Sequence, residues 1–170
     1  VWTESAEGTC GVGTSIIDRV PITVHKREHF RAPNTTLTCS AAPIFDVDGS
    51  VRAILDASAL YSPDDKRSQN LVLKFVTLAA DMVENAYFLD RFQQAWVLQL
   101  SRSVEFLQVQ TDYLLAFDEH GKLLAANRRA KTELLSKKMP QRATVEALFQ
   151  LRSEALIALG ASTQSLVIRA

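Results

Sequence analysis

The chain has 170 residues, 47% of them hydrophobic, enough to bury one modest core or two small ones. Nineteen Lys and Arg balance nineteen Asp and Glu, so net charge offers no attraction for nucleic acid or an anionic membrane. No apolar run has the length that crosses a bilayer, and two cysteines are too few for a disulfide framework, which fits a reducing cytoplasm.

The sequence opens abruptly on Val1-Trp2, as a fragment of a longer protein would, or a domain whose first strands lie outside it. Gly8, Gly11 and Gly13 then mark irregular backbone running into a short helix over 14–19, which Pro21 ends. Ile22-Thr23-Val24 alternates like a strand. Residues 31–36 hold Pro33 and Asn34 and read as a loop. A hairpin follows, with strands over 38–45 and 50–59 and a turn at Asp46-Val47-Asp48-Gly49.

Ser62-Pro63-Asp64-Asp65 has the chemistry of a helix start, with a capping serine, a first-turn proline and an acid three places on. The helix it opens is predicted to be long. Phe75, Ala79, Met82, Ala86, Leu89, Gln93, Trp96, Leu100, Ser103, Leu107 and Gln110 follow spacings of four and three, uninterrupted by Gly or Pro. This is a heptad seam of about 50 Å at about 1.5 Å per residue. It reads as one amphipathic helix on a domain, or as a parallel homodimer seam through residues 75–110. The persistence of the register favours the dimer, with Gln93 and Ser103 fixing register at some cost in stability.

A second module begins near Asp112. Residues 113–117 are apolar, His120-Gly121 turns, and 122–126 return as a strand. Asn127-Arg128-Arg129-Ala130 opens a short helix that Pro140 interrupts. Residues 145–159 are helical by period, Gly160 stops them, and 165–169 read as a closing strand.

The chemistry-bearing residues concentrate in the first forty positions. Residues 8–15 nearly spell a phosphate-binding loop, but Thr14 stands where the loop needs lysine, and no apolar strand precedes it. Nucleotide binding is excluded on that ground. Cys10, His25, His29 and Cys39 could be drawn as a zinc set, yet the cysteines are isolated rather than paired as Cys-x-x-Cys, so no metal is assigned. Cys10 and Cys39 could also form a redox pair, but Cys39 beside Ser40-Ala41-Ala42 reads first as a small buried residue. His29 reads either as a buried histidine bonded to a backbone carbonyl or as a ligand-facing group. No nucleophile has a positioned base and no carboxylate pair has useful spacing, so the chain reads as a binding protein, not an enzyme, and calls for no cofactor. Trp2 reads as an exposed end or a pocket lid.

Trp2-Thr3-Glu4, Gly8-Thr9-Cys10-Gly11-Val12-Gly13-Thr14, Glu28-His29-Phe30, Thr38-Cys39-Ser40-Ala41-Ala42-Pro43-Ile44 and Leu55-Asp56, in that order, resemble the GAF domain of acetoin-catabolism regulators. These are bacterial enhancer-binding activators that work with sigma-54 polymerase. Dihydroxyacetone-kinase operon regulators look similar but less close. Residues 112–135, with Leu114-Leu115-Ala116-Phe117-Asp118, Gly121-Lys122 and Ala126-Asn127, resemble the opening of a PAS domain, which follows the GAF domain in that family. Two departures stand out. Cys10 occupies a position where these regulators usually carry asparagine. The strands expected before Trp2 are missing, which would leave an open sheet edge.

The resemblance implies an α+β chain: a GAF-like antiparallel sheet with flanking helices over 1–84, a connecting signalling helix over 85–110, and a small PAS-like domain over 111–170. It implies a cytoplasmic sensor of a small polar metabolite, such as an acetoin-like ketone, a diol or a short alcohol, controlling an ATPase and a DNA-binding module that this chain does not contain. In that reading His29 bonds the ligand, Thr9, Cys10, Cys39 and Ser40 line the pocket, and Trp2 and Phe30 form apolar walls. Two other functions are carried beside it: a module that senses a metabolic enzyme by direct contact, and a thiol redox enzyme of the GAF-type methionine-sulfoxide reductase kind using Cys10 and Cys39. No direct nucleic-acid contact and no membrane association is expected of this segment.

Overall fold

The computed structural model describes residues 3–103, 111–135 and 144–149. The fold is α+β, with two three-stranded antiparallel sheets and one long helix, and the chain divides into two units, Val1–Glu84 and Asn85–Ala170.

The first unit opens with a single helical turn, α1 (Glu4–Glu7), and the helix α2 (Gly11–Asp18). Cys10 caps α2, its Sγ accepting the Gly13 N–H at 3.3 Å, and Arg19 ends it in the left-handed conformation at φ 59°. The sheet is β1 (Ile22–His25), β2 (Thr38–Phe45) and β3 (Val51–Ala59), in that order. Central β2 is buried along all but its last residue. That suits its sequence of small and apolar residues without polar alternation, because both of its faces are covered. On one face, Ala42 and Ile44 pack with Leu55 and Ala57 against Val72, Val76 and Ala80 of the helix α3 (Asn70–Arg91). On the other face, Cys39 lies under the N-terminus of α2.

The register fixes which side chains share a face. Cys39 stands opposite Val24 and Ser58, and Ala41 opposite Ile22 and Asp56. Ser40 and Thr38 therefore point the other way, toward the α3 side, since successive strand residues alternate. There Ser40 Oγ and Thr23 Oγ1 are 2.9 Å apart. Thr38 Oγ1 bonds both His25 Nδ1 (2.8 Å) and Ser62 Oγ (2.7 Å), while His25 Nε2 donates to the Asp64 carbonyl (3.1 Å).

This network relocates the predicted helix start. Ser62 spends its hydroxyl on Thr38, and the cap falls instead to Asp65, whose carboxylate accepts the Arg67 N–H at 2.9 Å ahead of a 3-10 turn (Lys66–Gln69) that leads into α3.

The continuous helix predicted through residue 110 is not what forms. α3 ends at Arg91, and Trp96–Leu100 is a strand, β4, paired antiparallel with β5 (Tyr113–Phe117) from Trp96 opposite Phe117 to Leu100 opposite Tyr113. The physical reason lies in the spacing. Residues four apart share a face in a strand as well as in a helix, so Trp96 and Leu100 satisfy both periods. Gln93, a predicted seam position, sits in the intervening turn. Leu107 and Gln110 lie outside the described residues, as do Trp2, Pro140 and the predicted closing strand over 165–169.

The second sheet runs β4, β5, β6 (Leu123–Ala126), with β5 central and buried throughout. Tyr113, Leu115 and Phe117 pack with Leu123, Ala126, Ala130, Leu135 and Val145 into the core of this unit, between the sheet and the helices α4 (Arg128–Glu133) and α5 (Val145–Phe149). Asn127 caps α4 by accepting the Ala130 N–H (2.9 Å), and its amide donates to Asn85 Oδ1 (2.9 Å) and the Asp112 carbonyl (3.2 Å). No helix among the described residues is long and apolar enough to cross a membrane.

Candidate ligand cavity

A cavity of about 220 Å³ opens in the first unit between the start of α2, the inner face of β2–β3 and the loop that joins β1 to β2. Cys10, Gly11 and Val12 come from α2, Cys39 from β2, Asp56 and Ser58 from β3, and His29, Asn34 and Leu37 from the loop. Cavities of about 150 Å³ hold benzene, so this one has room for a guest of about six to nine heavy atoms.

Gly11 makes the close approach possible. A Cβ on it would stand 2.7 Å from Cys39 Cβ and 3.4 Å from Asp56 Oδ1. Only a residue without a side chain lets the helix start come down onto the strand, leaving the carboxylate of Asp56 beside bare backbone.

His29 is held by a short 3-10 turn (Lys26–Glu28). Glu28 caps the turn, taking the His25 N–H on Oε2 at 2.8 Å, and pairs with Lys66 at 2.6 Å. Burial works to raise the Glu28 pKa, but the Lys66 ammonium and the His25 N–H outweigh it and hold the carboxyl below its ordinary range. His29 itself is only 5% exposed. Its Nδ1 lies 3.0 Å from the Lys26 carbonyl, and its Nε2 is buried without a hydrogen-bond partner. The Nδ1 contact matches the reading of a buried histidine bonded to a backbone carbonyl. Asp56 shows the same asymmetry. Its Oδ2 accepts from Ser58 Oγ at 2.5 Å, and its Oδ1 is buried without a partner.

Of the residues singled out from sequence, the structure brings Cys10, His29 and Cys39 to this cavity. Three others stand elsewhere. Ser40 is on the opposite face of β2, for the alternation reason given above. Phe30 is 78% exposed and lies over Gly8, where an added Cβ would come within 2.4 Å of its side chain. Thr9 is half-buried and is not among the lining residues; its carbonyl accepts the Phe30 N–H at 3.1 Å. Trp2 lies outside the described residues. Asp56, Ser58, Asn34 and Leu37 were not picked out as site residues in the sequence. Asp56 carried the one available signal, a carboxylate inside the apolar run Ile54-Leu55-Asp56-Ala57.

The four residues considered for zinc do not converge, because His25 points to the α3 side. Among the described residues no group of three or more His, Cys, Asp or Glu is placed to hold a metal ion. Burial pushes the Cys39 thiol up, and the neighbouring Asp56 carboxylate pushes the same way, so little thiolate exists near neutral pH for nucleophilic or redox chemistry.

Fold and cavity together describe an α+β chain with a small, mostly apolar cavity edged by a few polar side chains. No family model matches the chain. It is 47% identical over 133 residues to the acetoin catabolism regulatory protein of Cupriavidus necator, a match covering 78% of this chain and 20% of that protein. It is also 39% identical over 57 residues to the acetoin dehydrogenase operon transcriptional activator of Bacillus subtilis, covering 34% of this chain and 9% of the relative. These similarities support kinship with that group of regulators, of which the chain spans a fifth of the length or less. Among solved structures it is similar to the Escherichia coli DhaR(N)–DhaL complex, with 17% identity, a TM-score of 0.42, and coverage of 94% of this chain and 54% of that one.

Proposed function

We propose that this chain is the ligand-sensing region of a bacterial transcriptional activator of the acetoin-regulator kind. Residues 1–84 act as a GAF-type module that holds a small polar metabolite, and the second unit is PAS-like. Occupancy is passed on through α3 to an ATPase and a DNA-binding module elsewhere in the protein. The role is regulatory rather than enzymatic, and the regulator-type relatives support that. The single observation that carries the reading is a cavity of small-metabolite size lined by His29 and Asp56, residues that each keep one buried polar atom without a hydrogen-bond partner.

The sensor reading also needs an element that a ligand can bias, since a ligand bound equally by two states shifts nothing. α3 is the candidate. One side packs on the sheet through Val72, Val76 and Ala80. The other leaves Leu71, Phe75, Leu78, Met82 and Val83 exposed. That stripe supports a homodimer through α3, a shorter seam than the one predicted from sequence. It also favours the second reading, in which a metabolic enzyme docks on this surface. Light scattering separates the two, because a dimer at micromolar concentration supports the first and a monomer the second.

The test of the sensor reading is a thermal-shift titration with short ketones, hydroxyketones and diols. A true ligand at 100 times its dissociation constant adds about 2.7 kcal/mol to stability. The shift is expected in the wild type and lost in His29→Ala. A shift that survives intact in His29→Ala refutes the pocket assignment.

A further inference from the structure

Within the first unit α3 has a packed face and an open one. Val72, Val76 and Ala80 lie against the sheet, while Leu71, Phe75, Leu78 and Met82 are exposed. The four exposed residues are spaced by four, three and four, which are the steps between a and d positions of a heptad. They therefore form one apolar seam. The next positions in the same register are polar at both ends. Ser68 lies in the 3-10 turn before α3, and Asn85 accepts from the Asn127 amide (2.9 Å) and donates to the Thr111 carbonyl (3.0 Å). The apolar run is thus bounded at Leu71 and Met82, about 17 Å of helix.

The residues that flank this seam say what covers it. Phe75 and Met82 hold the a positions, and each is preceded by a charged residue at g, Lys74 and Asp81. The e positions on the other flank are Val72, Ala79 and Ala86. Two copies of such a helix can meet in two directions. A two-fold axis along the seam makes them parallel and sets unlike flanks together, g against e. Lys74 and Asp81 then face alanines, and no charged pair forms. A two-fold axis across the seam makes them antiparallel and sets like flanks together. Lys74 then faces the partner's Asp81, and symmetry repeats the pair at the other end. The same register brings Leu71 against the partner's Met82 and Phe75 against the partner's Leu78, so the apolar run covers itself from end to end.

From this self-complementarity we propose that a second copy of the chain packs on α3 in the antiparallel direction, through Leu71, Phe75, Leu78 and Met82, with Lys74 and Asp81 paired twice across the interface. The inference rests on the reading of α3 as a homodimer element, and its direction is opposite to the parallel seam expected from the sequence. The charge pattern selects a second copy over an unrelated partner, because one lysine and one aspartate seven residues apart are matched by their own reversed image.

Sedimentation equilibrium of the full chain tests the pairing. Lys74→Glu sets acid against acid at both ends of the seam and is expected to weaken the dimer about tenfold. Asp81→Lys sets lysine against lysine and is expected to do the same. The double variant Lys74→Glu/Asp81→Lys restores opposite signs, and its dissociation constant is expected to return to within about threefold of the wild type. Circular dichroism should match the wild type in all three. Oxidative cross-linking reads the direction. A chain carrying both Leu71→Cys and Met82→Cys is expected to form a covalent dimer, because these positions meet across an antiparallel seam yet stand about 16 Å apart along one helix. Leu71→Cys alone is expected to stay uncross-linked. A covalent dimer from Leu71→Cys alone, or a double charge variant no tighter than the single ones, overturns this inference and leaves a homodimer through α3 standing. A wild-type chain that stays monomeric at high micromolar concentration overturns both.

Discussion

Replacing Gly11 by alanine adds one methyl group at the most crowded point of the cavity. Its Cβ would lie 2.7 Å from Cys39 Cβ, 3.4 Å from Asp56 Oδ1 and 3.5 Å from the Cys39 carbonyl oxygen. Carbon atoms rest at about 3.5–4.0 Å, so α2 must lift by close to 1 Å, or β2 must give. β2 is pinned by β1 and β3 on its two edges, and the helix is the softer partner. Overpacking of this kind costs about 1–3 kcal/mol. Alanine's helix preference offsets part of that, at most about 1 kcal/mol in a helix interior and less at the first helical position. The net expectation is a loss of about 1–2 kcal/mol. For a cooperative unit of 60–100 residues, each kcal/mol moves the melting point by about 4–8 °C, so a fall of about 4–16 °C is expected. Thermal denaturation followed by circular dichroism measures it. The Cys39→Gly background supplies the control, because without the Cys39 Cβ the same change should cost much less, and the double-mutant cycle isolates the contact. A Gly11→Ala protein as stable as the wild type would refute the close approach of α2 to β2, and with it the floor of the cavity.

Other expectations follow from named contacts. Glu28 is held below its ordinary carboxyl value of 4.5 in the folded state, so its stabilising contribution is present above about that pH and is lost as the pH falls through the folded value. Glu28→Gln should flatten the acid limb of the stability profile below about pH 4.5, and an unchanged profile would show that the Lys66 pair contributes nothing. Cys39, buried and with its thiol pushed up, should alkylate with iodoacetamide far more slowly than a free thiol at pH 7.5, and a rate matching that of a small-molecule thiol would contradict its placement. Cys10→Ala removes the acceptor that caps α2 and should cost about 1 kcal/mol, with Cys10→Asn restoring much of it, as read by urea denaturation. Phe88, 1% exposed and packed on Phe92 at a centroid distance of 4.7 Å, should cost about 3–5 kcal/mol when cut to alanine. A loss under 1 kcal/mol would mean that the end of α3 does not pack as described.

What could be read from the sequence was local, and what was missed depended on partners. The hairpin turn at Asp46–Gly49 and the run into β2 are written in turn chemistry and residue size, and both form. Cys39 and Ser40 were both assigned to the cavity, yet adjacent strand residues cannot share a face, and only the pairing of Cys39 with Val24 and Ser58 decides which one faces inward. Trp96 and Leu100 fit helix and strand equally, and β5 breaks the tie. Asp56 went unassigned because its one local signal, a carboxylate within the apolar run Ile54-Leu55-Asp56-Ala57, does not say what it faces. It becomes a site residue only when the glycine at position 11, far earlier in the chain, folds over it.

The central claim is that one small molecule occupies the space between α2, the β1–β2 loop and the inner face of β3. An amide-resolved NMR titration of the full chain with butanediol tests it most directly. The expected shifts cluster on Gly11, Val12, His29, Asp56 and Ser58, while His25 and Thr38, on the far face of the same sheet, stay still. Shifts confined to α3 or to β5, or no shifts at all at saturating ligand, would contradict the account.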